Sequence, residues 1–567
     1  MHKKSLVSHL SIEKPWERRY CNNPNADFNL EETLYTTYVN ASRNRLNEVA
    51  VFVYETNKQY TNKELLALID KASKGFQSLG INEGSKVGIF LNGSIEEVIT
   101  FLALSKLGAV SKFIDFKKSI PAMKHSLEET DLDLLVMDES FLPLNQLVNE
   151  KGLLVVVANS SNNYDDNKYI SYEKLYQIND CSDITTASYV DGRPTIMINS
   201  SGTTGEPKPI VHTDYSVNAA TQKMLYTDYP LSVGHVLIKM IPIQIGLGLI
   251  TSLYTGLISG TMVVLIGGKD ASDLVAKMVS FVKRFKIFKE IHQLSETTKL
   301  NIFTSPAFIR PLIKSQEITD LSFIGSFLAA GSKMTKDELI DLEQIASEKG
   351  CKVPICNGYG QNEMAGAVTL NLNRYNINGS AGFPTFGTDV IVIDPETKER
   401  LSHNQIGLIL EISNSEFREY EKQKEKTEQA YLTLPDGSCW FNSCDLGYMD
   451  EDGFLYITGR TARVAIRSDF KISLDEIERK VRTLPFVVDC ATILSMCGES
   501  HDQIAIFIVC NNIAEQDVKE SIEKANILSE FEMPSDFFVV ENLPYKMNGK
   551  IDYEKLKNMY IKTFENN

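Results

Sequence analysis

Cysteine is sparse in this sequence: nine in 567 residues, with no C-x-x-C spacing. That argues against a disulfide framework or a cysteine-clustered zinc site, and it suits a reducing, cytoplasmic setting. Positive charge is also short. Lysine and arginine number 58 against 74 acidic residues, a net charge of −16, which argues against nucleic acid or an anionic membrane as the main partner. The N-terminal stretch MHKKSLVSHLSIEKPW has two lysines but no apolar run, so no secretory leader is expected. Internal repeats and low-complexity tracts are missing too. One segment, Met240 to Gly268, lacks any charge and is long enough to span a bilayer. It also contains Pro242, Gln244 and six glycines, and Lys239 and Lys269 bracket it. It reads as buried strand and helix lining a core or pocket rather than a transmembrane segment.

The chain present between these absences has an ordinary globular composition, 43% hydrophobic and 23% charged, and its length implies roughly two to four domains. Asn62 to Leu79 carries Leu65, Leu66, Ile69, Ala72 and Phe76 at helical spacing. Lys86 to Leu91 reads as a buried strand, Ile95 to Leu107 as a helix, and Leu134 to Met137 as another strand. Such alternation implies a largely parallel sheet covered by helices. Ser160 to Lys168 is a polar loop. The last hundred residues change pattern. Ser473 with Glu476 predicts a capping box before a short helix with Leu474, Ile477 and Val481 on one side. Strands Val487 to Leu494 and Gln503 to Val509 and a charged helix near Gln516 to Lys524 complete a compact α+β unit. The expected boundary lies near Gly459-Arg460, dividing the chain into 1–459 and 460–567.

The chemistry-bearing stretch is NSSGTTGEPKPIVHT, Asn199 to Thr213. A cluster of Ser, Thr and Gly is by default a turn. Here Gly202 and Gly205 permit φ > 0, so successive N–H groups can face one concavity. Ser200, Ser201, Thr203 and Thr204 add hydroxyls, and Lys208 adds a positive charge. Together they read either as a polyphosphate grip or as a plain loop. It is not a Walker loop, because Gly205 is followed by Glu206-Pro207-Lys208. Further along stand Ala329-Ala330-Gly331-Ser332-Lys333, Asn357-Gly358-Tyr359-Gly360-Gln361-Asn362-Glu363, Asp445-Leu446-Gly447-Tyr448 ahead of Gly459-Arg460, and Pro544-Tyr545-Lys546-Met547-Asn548-Gly549-Lys550. Each alone is a weak signal.

In this order and spacing they resemble the adenylate-forming, AMP-binding superfamily: acyl-CoA synthetases, adenylation domains of nonribosomal peptide synthesis, and luciferases. The resemblance runs from Tyr60-Thr61 to Lys550 and includes Gly379-Ser380-Ala381-Gly382-Phe383-Pro384. It implies an α/β fold, with a large N-terminal domain of several subdomains and a small, mobile α+β C-terminal domain. It implies that Ser200, Ser201, Gly202, Thr203, Thr204, Gly205 and Lys208 bind the phosphates of ATP. Gly331, Ser332 and Tyr359 would form a slot for adenine, which stacks on the Tyr359 ring, and Asn357, Gly358, Gly360 and Asn362 would join them around adenine and ribose. Asp445, Ile457 and Arg460 would meet the ribose, the carboxylate accepting its hydroxyls. Glu363 would hold Mg²⁺, and Lys550 would be the catalytic cation. Ile245, Gly246 and Gly248 would line the acyl pocket, with the two glycines leaving room, and Asp469 and Lys471 would flank the thiol path.

The chain departs from the family pattern at several positions. Asn362 replaces a usual threonine, Pro209 a glycine, and Ile245 a frequent histidine. Ala462 stands at the hinge position, and Asp469-Phe470-Lys471 where the family has Gly-x-Arg, which puts a carboxylate in the path of the CoA arm. Between Tyr229 and Gly268 there is no acidic residue to meet a substrate ammonium, which favours an uncharged fatty or aromatic acid. The expected activity is acyl-CoA synthesis from a carboxylic acid, ATP and CoA. The alternatives are an adenylation enzyme loading a carrier-protein thiol and a non-catalytic homologue that binds nucleotide or acyl-adenylate.

Overall fold

The computed structural model describes residues 14–21, 26–114, 120–128, 130–149, 151–177, 186–199, 208–332, 334–467, 470–495, 502–511, 513–545 and 551–565. Two large sheets dominate. The first has nine strands in the order Phe383–Pro384, Gly366–Leu370, Ile355–Gln361, Ile324–Ala330, Leu300–Thr304, Val236–Lys239, Met262–Leu265, Val49–Val53 and Lys58–Thr61. The strands from Ile355–Gln361 to Val49–Val53 run parallel, and antiparallel pairs close both edges. The second sheet has eight strands and places Lys86–Phe90 between Val110–Phe113 and Leu134–Asp138, all parallel.

Alternation along each strand explains the layering. In Val49–Val53, Val51 and Val53 join the cluster between the sheets, while Phe52 joins the cluster on the outer face. Phe303 and Ile302, and Leu328 and Phe327, divide in the same way. Both faces of these parallel strands are buried, so apolar residues dominate each strand on both sides. The helix Asn62–Ser78 begins with a Thr61/Glu64 capping box and buries Leu65, Ile69, Ala72 and Phe76. Ile95–Leu107 lies between the sheets and buries all of its residues except Glu96. Its Glu97 forms an ion pair with Lys239, Oε1 to Nζ 2.5 Å, and both side chains are fully buried. This pair ties a central helix to the strand Val236–Lys239.

The uncharged Met240–Gly268 segment folds as a turn, a π-helix Leu247–Tyr254, a short helix Thr255–Ser259 and the strand Met262–Leu265, nearly all of it buried. Among the described residues no helix is long and apolar enough to cross a membrane, and the seven cysteines there are all free.

A five-stranded antiparallel sheet follows, containing Thr388–Ile393, Gly407–Ser413, Cys439–Met449, Tyr431–Thr433 and Leu455–Arg460. The smaller C-terminal domain has the hairpin Val464–Arg467/Phe470–Ser473, a three-stranded sheet, and the helices Leu474–Val481, Glu515–Ala525 and Tyr553–Glu565. The capping box expected at Ser473 forms only by half. Ser473 Oγ accepts from the Glu476 N–H, but the Glu476 carboxylate takes Arg479 instead, Nε to Oε2 2.8 Å. Ser473 is already paired across the hairpin with Val464.

Candidate active site

Three neighbouring parallel strands, Leu300–Thr304, Ile324–Ala330 and Ile355–Gln361, end at one edge, the usual ligand-binding edge of an open α/β sheet. Gly331 turns the chain there at φ +90, which favours glycine, and Ser332 follows half-buried. Asn357, in register with Ala329, is buried. Its Nδ2 donates to the Ser380 carbonyl at 3.3 Å, while its Oδ1 has no partner among the described residues. Gly358 and Gly360 are glycines for packing reasons. A Cβ on Gly358 would crowd Leu370 and Leu328, and one on Gly360 would overlap the Gly366 carbonyl.

Tyr359, between them, reaches the second element of the site. Its hydroxyl donates to Asp445 Oδ2 at 2.6 Å. Arg460 Nε lies 2.8 Å from Asp445 Oδ1. The register of the hairpin dictates this pairing, because Asp445 and Arg460 are directly opposite across Cys439–Met449 and Leu455–Arg460. Ile457 lies in the same strand opposite Gly447. Asp445 is 2% exposed, and these two donors compensate part of the hydration its carboxylate gives up on burial.

Asn362 is the hub. Its Nδ2 donates to the Asn199 carbonyl at 2.8 Å, at the entrance to the proposed phosphate loop, and its Oδ1 accepts from the Gly246 N–H at 3.2 Å. Its own carbonyl oxygen sits 2.7 Å from His212 Nε2. A carbonyl can only accept, so His212 carries its proton on Nε2 and offers Nδ1 to the Ser216 hydroxyl at 3.2 Å. The adjacent Glu363 accepts from the Tyr420 hydroxyl at 3.0 Å. Burial raises the Glu363 carboxyl above its ordinary value, and the Tyr420 hydroxyl, Lys208 and Arg460 oppose that rise. Lys208 Nζ lies 4.7 Å from the centre of the Tyr420 ring.

Ser200, Ser201, Gly202, Thr203, Thr204, Gly205, Asp469 and Lys550 lie outside the described residues, as does the side chain of Lys471. In the acyl segment Ile245 packs partly buried against the outer core. A Cβ on Gly246 would meet only ordinary contacts, whereas one on Gly248 would overlap the carbonyls of Ile241 and Pro242. Gly248 thus serves the close approach of its own backbone, and the room it was expected to leave is filled.

Several contacts had no signal in the sequence. Tyr420 is 57 residues from Glu363. Lys112, fully buried, donates to Asn199 Oδ1 at 2.8 Å. Gln361 Nε2 donates to Glu411 Oε2 at 2.8 Å, and burial pushes that carboxyl up to about 8. Burial likewise pulls Lys223 down to about 7, and its Nζ meets the Ser413 and Ser415 hydroxyls at 2.6 Å each.

The family model for AMP-binding enzymes matches residues 39–420. The chain belongs to this family. Within it, the chain is 24% identical over 522 residues to 4-coumarate-CoA ligase 1 of Narcissus pseudonarcissus, covering 88% of this chain and 89% of that protein. It is 23% identical over 514 residues to malonate–CoA ligase of Arabidopsis thaliana, covering 86% and 79%. Among solved structures, an anthranilate CoA ligase in complex with anthranoyl-AMP superposes with a TM-score of 0.80 at 20% identity, covering 95% of this chain and 99% of that one. ATP-bound MatB from Rhodopseudomonas palustris gives 0.78 at 20% identity, covering 94% and 99%. These two structures share the fold over more than nine-tenths of this chain.

Proposed function

We propose that this AMP-binding enzyme is an acid–CoA ligase that joins an uncharged fatty or aromatic carboxylic acid to CoA through an acyl-adenylate. The observation that carries the reading is the meeting of Tyr359 with Asp445 and Arg460 and, four residues on from Tyr359, of Glu363 with Tyr420, whose ring lies against Lys208. In this reading adenine lies along Gly331, Ser332 and Tyr359, and Asn357 Oδ1, without a partner among the described residues, accepts from its amino group. A carboxylate has room for about four donors. Asp445 holds two, so the ribose hydroxyls take the remaining positions.

Residues 200–205 and Lys208 hold the β- and γ-phosphates. The residues fit a magnesium ion: Mg²⁺ commonly takes one or two carboxylates and completes its shell with phosphates and water. In this reading Glu363 would be the protein's ligand to the ion, and the nucleotide's phosphates and water would supply the rest. When bound, the ion would neutralise phosphate charge. The substrate carboxylate attacks the α-phosphorus, pyrophosphate leaves, and Lys550 stabilises the charge that develops. The thiolate of CoA then attacks the acyl carbonyl and AMP departs. No protein nucleophile is needed, because positioning two anions in line carries the rate.

In this reading residues 1–459 carry the ATP and acid sites, residues 460–567 deliver Lys550, and Asp469 and Lys471 flank the thiol path. The test is acid-dependent pyrophosphate release over a panel of fatty and aromatic acids, with CoA, a carrier protein or neither. Release with acyl-CoA formation supports the reading. Thioester on the carrier protein alone gives the carrier-loading alternative, and no release with any acid gives the non-catalytic one.

A further inference from the structure

Gln244 stands in the turn between the strand Val236–Lys239 and the π-helix Leu247–Tyr254 and is 5% exposed. Both of its amide atoms are buried, and neither Oε1 nor Nε2 has a hydrogen-bond partner among the described residues. Its neighbours along the chain, Ile241 and Ile243, are buried in apolar clusters. A carboxamide in such surroundings with both ends unpaired loses its hydration without compensation, and native interiors seldom keep one without a use for it.

The location supplies the use. Two residues on, the Gly246 N–H binds Asn362 Oδ1, and the same Asn362 side chain holds the Asn199 carbonyl. Gln244 is therefore two residues from the backbone contact that joins the acyl segment to Asn362, the neighbour of Glu363 and partner of the start of the phosphate loop. The strand leading to it is paired with Leu300–Thr304, with Ile238 opposite Ile302. That second strand ends in two more buried hydroxyls without partners among the described residues, Thr304 Oγ1 and Ser305 Oγ. The segments that follow two adjacent parallel strands thus carry buried polar atoms without partners among the described residues, next to the strand end that leads to Gly331.

We propose that Gln244 is a specificity-determining residue whose carboxamide pairs with a polar, uncharged group on the substrate acid. This rests on the acid–CoA ligase reading and narrows its substrate class. A carboxamide offers one donor face and one acceptor face, and a hydroxyl can answer both. Being neutral, it offers no counter-charge to an ammonium or a second carboxylate, whose burial unpaired would be far more costly. The substrate class is therefore a hydroxylated or similarly functionalised fatty or aromatic acid.

The experiment compares kcat/KM for acid-dependent pyrophosphate release across pairs matched in size: 4-hydroxybenzoate with 4-methylbenzoate, 4-hydroxycinnamate with 4-methylcinnamate, and 8-hydroxyoctanoate with nonanoate. The full chain is used as wild type, Gln244→Met and Gln244→Leu. Wild type should favour the hydroxylated member of at least one pair tenfold or more. Both variants should lose that preference, with the KM for ATP unchanged and the melting temperature unchanged or raised. Release driven by the panel with no preference in wild type overturns the role of Gln244 and leaves the ligase reading standing. A preference that survives in the variants, whatever their melting temperature, also overturns it. No acid-dependent release at all removes both.

Discussion

The substitution Asp445→Asn separates a ribose acceptor from a structural brace. The side chain is 2% exposed and receives two donors, the Tyr359 hydroxyl at 2.6 Å and Arg460 Nε at 2.8 Å. Asparagine keeps the shape and one acceptor oxygen but loses the charge and turns an amino group toward one of the two donors. Hydrogen bonds to a charged group contribute about 1.5–3 kcal/mol each. If one ribose hydroxyl loses its charged acceptor, ATP affinity should fall roughly 10- to 150-fold. Arg460 is 34% exposed, so water takes over much of its lost pairing and the fold should weaken far less than binding does. Calorimetric titration of ATP into both proteins measures the first effect, and melting without nucleotide the second. Tyr359→Phe is the control, because it removes one donor and leaves the carboxylate for the ribose, so it should weaken ATP binding much less. An Asp445→Asn variant that binds ATP within about twofold of wild type but melts several degrees lower would refute the ribose role and leave Asp445 as a brace of the hairpin.

Three further outcomes are expected. Lys550→Ala should slow acyl-adenylate formation about 100-fold or more with ATP affinity nearly intact, since its charge acts on the transition state, and an unchanged single-turnover rate would exclude that role. His212 is fully buried, and burial lowers its pKa to about 4. Its folded value lies below the unfolded value near 6.5, so stability is full above pH 6.5 and falls as pH drops toward 4, by an amount on the order of 3 kcal/mol. Urea unfolding of wild type and His212→Gln should show their difference shrinking across that window, and a constant difference would mean that His212 does not titrate there. Lys239→Met should destabilise the chain by about 3–5 kcal/mol by leaving Glu97 buried and unpaired, while the double variant Glu97→Leu/Lys239→Met should recover most of the loss. Urea midpoints of the singles and the double decide it, and additive losses would show the pair to be uncoupled.

Local patterns were legible where one physical preference acted alone. Leu65, Ile69, Ala72 and Phe76 marked a helix because one face is buried, and Asn62–Ser78 forms as read. The charge-free Met240–Gly268 run was legible as core because Pro242 and the glycines break any single spanning helix, and the chain there turns through two short helices and a strand. The site was legible as separate motifs but not as an assembly. Asp445 and Arg460 meet because of a hairpin register, and Tyr359 reaches Asp445 across 86 positions. No periodicity encodes contacts of that span, so Tyr420 and Lys112 passed as ordinary residues. The packing around Gly248 is hidden from the sequence for a related reason. The carbonyls of Ile241 and Pro242 occupy the space beside it, and only the folded turn brings them there. The half-formed cap at Ser473 shows the same limit, since Arg479 on the next helical turn captures Glu476.

Attack of a substrate carboxylate on the α-phosphorus of ATP is the step on which the proposed activity stands, and isotope transfer reads it directly. An accepted acid carrying ¹⁸O in both carboxylate oxygens is incubated with ATP, Mg²⁺, CoA and the enzyme, and the products are analysed by mass spectrometry. The expected products are AMP bearing one ¹⁸O, unlabelled pyrophosphate and a thioester retaining the other ¹⁸O. Formation of ADP with ¹⁸O in inorganic phosphate, or AMP without label, would contradict that attack.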